Sequence, residues 1–281
     1  MSTSHGTLEA RLELGRRLRA LRTAASIDGR TLAARLGWSA SKVSKLQLGR
    51  QSPTVDDLRA WAVACGSPEA AADLVILLRD LNDRYAPWRH ELHHGHAAVQ
   101  QAWATMEAGA QTIRTFESCF VPGLLQTADY AAARFRESAW LNAVPPDTAA
   151  AVDARLARQK LLCSPGNRRW HILITEAVLR FGTASVEVMR AQIERLVSAT
   201  TLPAVRLGIV PFRTRLPVSP AHAFCILDDR QVVVEVLNAE LRLGLPEEVT
   251  QYRRAFDMLA PSALYDSDAR RLLAAAAESW I

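Results

Sequence analysis

Ser41, Ser44 and Lys45 fall on one side of a short helical stretch, and their types match what a DNA major groove presents. A serine hydroxyl donates or accepts at short range, while a lysine ammonium reaches guanine O6 and N7. Leu48 shares that face and Lys42 stands to one side. Arg17, Arg30, Lys42 and Arg50 flank the same surface, and their charges suit phosphates, which fix register on a duplex without selecting bases. The expected chemistry is recognition of double-stranded DNA. The first three residues would read bases and the four flanking cations would neutralise the backbone.

Such chemistry needs a scaffold, and residues 29–48, GRTLAARLGWSASKVSKLQL, have the spacing of a helix-turn-helix. Leu32, Ala33 and Leu36 form the inward stripe of a first short helix, with Ala33 small where two helices must cross closely. Gly37 stands at the sharp turn, where a residue without Cβ takes φ > 0 at little cost. Ser39 is a good N-cap for the second helix, and Val43 and Leu46 lie three apart on its packing face. An αα-hairpin with a solvated outer face would share this apolar spacing. The turn glycine and the cationic outer face together favour the DNA-reading form.

Neighbouring segments extend the module to five helices. Leu14, Leu18 and Leu21 predict a helix over residues 9–24, with Arg16, Arg17, Arg19 and Arg22 elsewhere on its surface. Pro53-Thr54 opens another helix over 55–65, and Gly66-Ser67-Pro68 ends it and starts a fifth that runs to Tyr85. In that helix Leu74, Leu78, Leu81 and Tyr85 form a seam. Two heptads are too few for a coiled coil alone, so the seam is expected to pack within the chain.

Charge placement points the same way. Residues 1–60 hold eleven Lys and Arg against five Asp and Glu, a net of +6, while the whole chain nets only +5. The positive excess therefore lies entirely in the segment with the helix-turn-helix, as a phosphate footprint requires. At 281 residues the chain has about 200 left to build a second core. Its 49% hydrophobic and 22% charged residues fit an ordinary globular protein, with no apolar run long enough to span a membrane. The polar N-terminus lacks an apolar signal segment. Cys65, Cys119, Cys163 and Cys225 are widely separated and read as reduced thiols of a cytoplasmic protein.

The expected division is a helix-turn-helix domain over 1–85, a linker over 86–96 and an α+β domain over 97–281. Within the linker, His90 and His94 are four apart and would share a helix face. With Glu91 the only acid beside them, a solvated or interfacial linker is preferred and no metal or cofactor is expected. The second domain is expected to hold a small mixed sheet flanked by helices. Strands are predicted at 170–175, 205–210, 224–227 and 232–237, and helices near 97–107, 124–137, 147–162, 187–199, 247–259 and 268–279. Pro122 would start the 124–137 helix, with Leu124, Ala128, Ala131 and Phe135 as its buried stripe. Gln126, Thr127, Asp129 and Tyr130 fall partly off the stripe, and with Glu176 and Glu235 they are candidates for a partner or ligand surface. Capping, core hydrogen bonds and structural ion pairs account for the same six residues without a ligand.

Enzyme chemistry finds little support. No Gly-x-Ser-x-Gly elbow, P-loop or Gly-x-Gly-x-x-Gly turn occurs. A DNA-targeted hydrolase is the remote alternative, since Asp228, Asp229 and Glu235 are closely spaced acids. However, position 237 is Leu, and no Lys follows Lys160 to steady an attacking water.

LGRRLRALRTAA followed by TLAARLGWSASKVSKLQLGRQSPT resembles the Xre-type helix-turn-helix. Phe116 to Ala131, FESCFVPGLLQTADYA, resembles the C-terminal domain of a large group of actinobacterial regulators. So do Arg155 with Arg158-Gln159, TEAVLR, Met189 with Gln192, Val210 to Phe212, and Glu235. Leu46-Gln47 departs from the Ile-Glu pair usual in the family, removing a carboxylate near the end of the recognition helix. The resemblance implies a cytoplasmic, antitoxin-like transcriptional regulator that binds an operator. It also implies a small partner protein from a neighbouring gene, which would modulate operator binding through the C-terminal domain. A small-molecule-sensing transcription factor is the alternative. A homodimer is expected on DNA, because one helix-turn-helix reads too few base pairs to find a site in a genome.

Overall fold

The computed structural model describes residues 3–164 and 166–281, which form two compact units, Met1–Tyr85 and Ala86–Ile281. The first contains five helices: α1 (Thr3–Ala24), α2 (Gly29–Leu36), α3 (Ala40–Gln47), α4 (Val55–Ala64) and α5 (Ala70–Arg84). Side-chain caps start three of them. Asp28 Oδ1 accepts from the Thr31 amide at 2.7 Å, Ser39 Oγ accepts from the Lys42 amide at 3.1 Å, and Thr54 and Asp57 form a reciprocal capping box. Gly37 ends α2 at φ 65°, and the Trp38 amide bonds back to Ala33 O at 2.9 Å.

Leu14, Leu18, Leu32, Ala33, Val43, Leu46, Leu58 and Trp61 make the core of this unit, with Leu36 half-buried against them. Trp61 is fully buried and donates its indole N–H to Leu18 O at 3.1 Å, so its one polar group is satisfied. The α5 seam turns inward: Leu74 and Leu78 are buried in the same core. The Leu81 and Tyr85 side chains lie outside the described residues.

The second unit is built on a mixed sheet of seven strands: β1 (Tyr85–Pro87), β2 (Thr112–Glu117), β3 (Arg169–Thr175), β4 (Val205–Val210), β5 (Phe224–Leu227), β6 (Gln231–Val236) and β7 (Ala239–Leu243). Their order is β1-β7-β6-β5-β2-β3-β4, parallel across β2-β3-β4 and antiparallel across β2-β5-β6-β7. The helices are α6 (Trp88–Glu91), α7 (His96–Gly109), α8 (Ala128–Asn142), α9 (Thr148–Gln159), α10 (Ala177–Arg180), α11 (Val186–Ala199), α12 (Pro246–Leu259) and α13 (Asp266–Glu278). Alternation along β3 sends Trp170, Ile172 and Ile174 into a core with Trp103, Met189, Ile193, Leu196 and Leu273. His171 points to the other face, where its ring meets Phe256 of α12 edge-on at 4.9 Å. Helices therefore cover both faces.

Three expectations change. The segment 86–96 is no linker: Ala86, Leu92 and His96 are buried, and Trp88 donates its amide to Asn238 O and its indole N–H to Val236 O. Apolar side chains within the charged run draw it onto the second unit. Pro122 leads into a short 3-10 turn, Gly123–Leu125, and the α-helix begins only at Ala128 after the Thr127 cap, leaving Ala128 exposed. The sheet also gains β1, β2 and β7, which the sequence reading did not predict. Of these β2 matters most, because it is central and lies beside the cavity described below.

Candidate nucleic-acid interface and an acidic cavity

On α3, packing fixes which way each side chain points. Val43 and Leu46 are each 2% exposed, and they turn Ser41, Ser44, Lys45 and Leu48 outward, all exposed. Among the flanking cations, Arg17, Arg30 and Arg50 are exposed. Arg17 shares Glu13 with Arg16 in a solvated cluster, which costs little to exchange for a phosphate. Lys42 is placed differently from its expected phosphate role. Its Nζ donates to Asp57 Oδ1 at 2.6 Å and lies 3.8 Å from the centre of the Trp38 ring. Burial pushes the Asp57 carboxyl up, but Lys42 and the Thr54 amide outweigh it and hold it below its ordinary value. Lys42 thus clamps the start of α3 to the start of α4.

Behind the exposed face, Gly15 lets α1 cross the end of α3 at close range. A Cβ there would fall 2.5 Å from Gln47 O and 3.0 Å from Leu46 O, both backbone atoms. Gly15 was not singled out from the sequence, since a lone glycine inside a helical pattern gives no sign of what approaches it.

The second unit holds a partly open cavity of about 380 Å³. Its floor is one face of the sheet. The register pairs Thr115 with Cys225 and Cys225 with Val233, and its continuation puts Glu117, Ala223 and Glu235 in one row across β2, the start of β5, and β6. Trp103 and Gln100 of α7, Phe135 of α8, Arg155 of α9 and Phe120 close the sides.

Most of the charge around the cavity is spent within the protein. Arg158 holds Glu107 through two bonds of 2.7 and 3.0 Å, and Arg134 pairs with Glu137 while stacking on Phe120. Arg155 donates to Gln100 Oε1 at 3.0 Å and to Gln126 Oε1 at 2.5 Å, with its guanidinium over the Phe135 ring. Burial and the nearby Arg158 bring Arg155 down to about 9, still charged at neutral pH. Glu117 and Glu235 differ: among the described residues neither makes a hydrogen bond or an ion pair. Burial, reinforced by Glu235, pushes Glu117 up to about 8, and burial also raises Glu235. Glu235 lines the cavity and is exposed, so its carboxylate is open to a small molecule.

Residues 13–75 match the model of a helix-turn-helix domain, and residues 100–275 match a domain of unknown function, DUF5753. The chain belongs to the DUF5753 family. The helix-turn-helix match makes it a DNA-binding regulator. A comparison with curated proteins finds no match. Within the DUF5753 stretch lie both unpaired carboxylates, Arg155 and most of the cavity wall.

The six candidate residues of this DUF5753 domain separate. Gln126 and Glu235 line the cavity. Thr127 caps α8, and the buried Tyr130 accepts the Val121 amide on its hydroxyl, so both hold the fold. Glu176 pairs with Arg180 and accepts the Phe212 amide, while Asp129 is exposed in the first turn of α8. Glu117 was missed altogether, because its strand was. His96, from the histidine-rich stretch, bonds Asp147 and Ser138 inside the unit. Among the described residues no three His, Cys, Asp or Glu side chains gather as a metal site would need, and no helix is long and apolar enough to cross a membrane.

Proposed function

We propose that this DNA-binding regulator is a sequence-specific transcription factor that binds its operator as a homodimer, with α3 as the recognition helix. The observation that carries the reading is the outward face of α3, where Ser41, Ser44 and Lys45 are exposed together and fixed by the buried Val43 and Leu46. Selection of binding sequences from a random duplex pool tests it. Recovery of a palindromic motif supports the reading, and a pool that stays random refutes it.

The DUF5753 domain is the regulatory input on this reading. The resemblance of residues 116–131 and their companions supports an Xre-type, antitoxin-like regulator in a cytoplasm, with a small partner protein as input. A small-molecule input has a more specific support, the cavity with two unpaired carboxylates, and it is the reading adopted here. Ligand would then change operator affinity by acting on the second unit. No catalytic step is assigned to the chain. Plasmid that stays supercoiled with the protein and Mg²⁺ or Mn²⁺ is the expected outcome.

A further inference from the structure

We propose that the cavity of the second unit binds a small organic amine, whose ammonium group sits between Glu117 and Glu235. The inference rests on the small-molecule reading above and names its ligand class. Three features of the site select a cation.

The first is a carboxyl group with no partner in the protein. Arg158 is matched by Glu107 and Arg134 by Glu137, while two bonds of Arg155 go to neutral amide oxygens. What remains is one guanidinium against two carboxyl groups, and Glu117 holds a proton it can give up, so an incoming positive charge is balanced once that proton leaves. The second is geometry. Glu117 and Glu235 stand in one row with Ala223 between them, so their backbones are about 9–10 Å apart and a small side chain leaves the gap open. An ammonium with three donors can bond both carboxylates there at once. The third is the wall. Phe120, Phe135 and Trp103 give an apolar body something to pack on, and 380 Å³ is at the small end for small-molecule pockets.

Protonation gives the proposal a signature. Glu117, raised to about 8, holds its proton at neutral pH in the empty site. A bound ammonium favours the ionised carboxylate, so binding releases a proton and strengthens as pH rises from 6 to 8.

The test uses the full chain in titration calorimetry and thermal melts, with phenethylamine and 1,4-diaminobutane as cationic probes. 2-Phenylethanol and 3-phenylpropanoate serve as neutral and anionic counterparts. At least one amine is expected to bind with proton release, at least tenfold more tightly than the alcohol or the acid. Glu117→Gln and Glu235→Gln should each weaken it at least tenfold while raising the melting temperature of the empty protein. A merely structural role would lower that temperature instead. Binding of the alcohol or acid in preference to the amines, or amine binding undiminished in both variants, overturns the cationic class and leaves the sensing reading standing. An amine that binds as described yet leaves operator affinity unchanged overturns the sensing reading and leaves the site. No binding by any of the four overturns both.

Discussion

Lys42 and Lys45 are three residues apart on α3, yet their surroundings give them different tasks. Lys45 projects into solvent beside Ser41 and Ser44, whereas Lys42 is bound to Asp57 and covered by Trp38. Lys45→Ala is therefore expected to cost about 1–3 kcal/mol on the selected operator and much less on random duplex, with the melt unchanged. Equal losses on both duplexes would make Lys45 a phosphate contact. Lys42→Ala should act the other way. It removes a partly buried, charge-assisted hydrogen bond and should lower the stability of the first unit by about 1–2 kcal/mol in urea unfolding. If it left stability intact but reduced the salt slope of DNA binding by about one, the phosphate role would be restored. Glu117 carries a third expectation at this scale. Its folded value, about 8, lies above the ordinary 4.5, so the folded state holds a proton that the unfolded chain has lost. Its contribution to stability is full below pH 4.5 and is lost as pH rises through 8. Melts from pH 5 to 9 should show this decline, and Glu117→Gln should flatten it.

At the scale of elements, the crossing of α1 over α3 sets where the recognition helix stands. Gly15→Ala would place a Cβ 2.5 Å from Gln47 O, a backbone atom that can move only if α3 does. It should destabilise the first unit by about 1–3 kcal/mol and weaken operator binding, although alanine is the better helix former. A gain in stability with full binding would show that the helices separate without cost. The same scale explains what the sequence made legible. The helix-turn-helix could be read because its signals are local: Ser39 as a cap, Gly37 at the turn, and apolar residues at helical spacing. Strand β2 could not. Ile113 and Phe116, its buried pair, are three apart and mimic a helix, and its conformation is imposed by β3 and β5, distant in the sequence. In β7, AELRL is made largely of helix formers, and pairing with β6 overrides them. Glu235 was visible on a predicted strand, but its partner Glu117 and the row they share depend on pairing that no local pattern records.

At the scale of the whole molecule, the surplus of positive charge is confined to residues 1–60, and this bounds how the chain meets DNA. One copy presents one α3, which reads only a few base pairs. Two copies related by a two-fold would read half-sites about 34 Å apart and gain the selectivity that a genome demands. The contact that joins them is not the inner part of the α5 seam, since Leu74 and Leu78 are 3% exposed and already belong to the core of the first unit. Substituting either would unfold the module, not split a dimer, so loss of cooperativity in such variants carries no information about the interface. Sedimentation and footprinting of the intact chain do. The expected result is two chains per operator, with protection of two symmetric half-sites one helical turn apart. Doubling the phosphate contacts should also make the salt slope on a full operator about twice that on an isolated half-site. One chain per site with a single asymmetric footprint would rule the dimer out, and all sequence selectivity would then have to come from a single copy of α3.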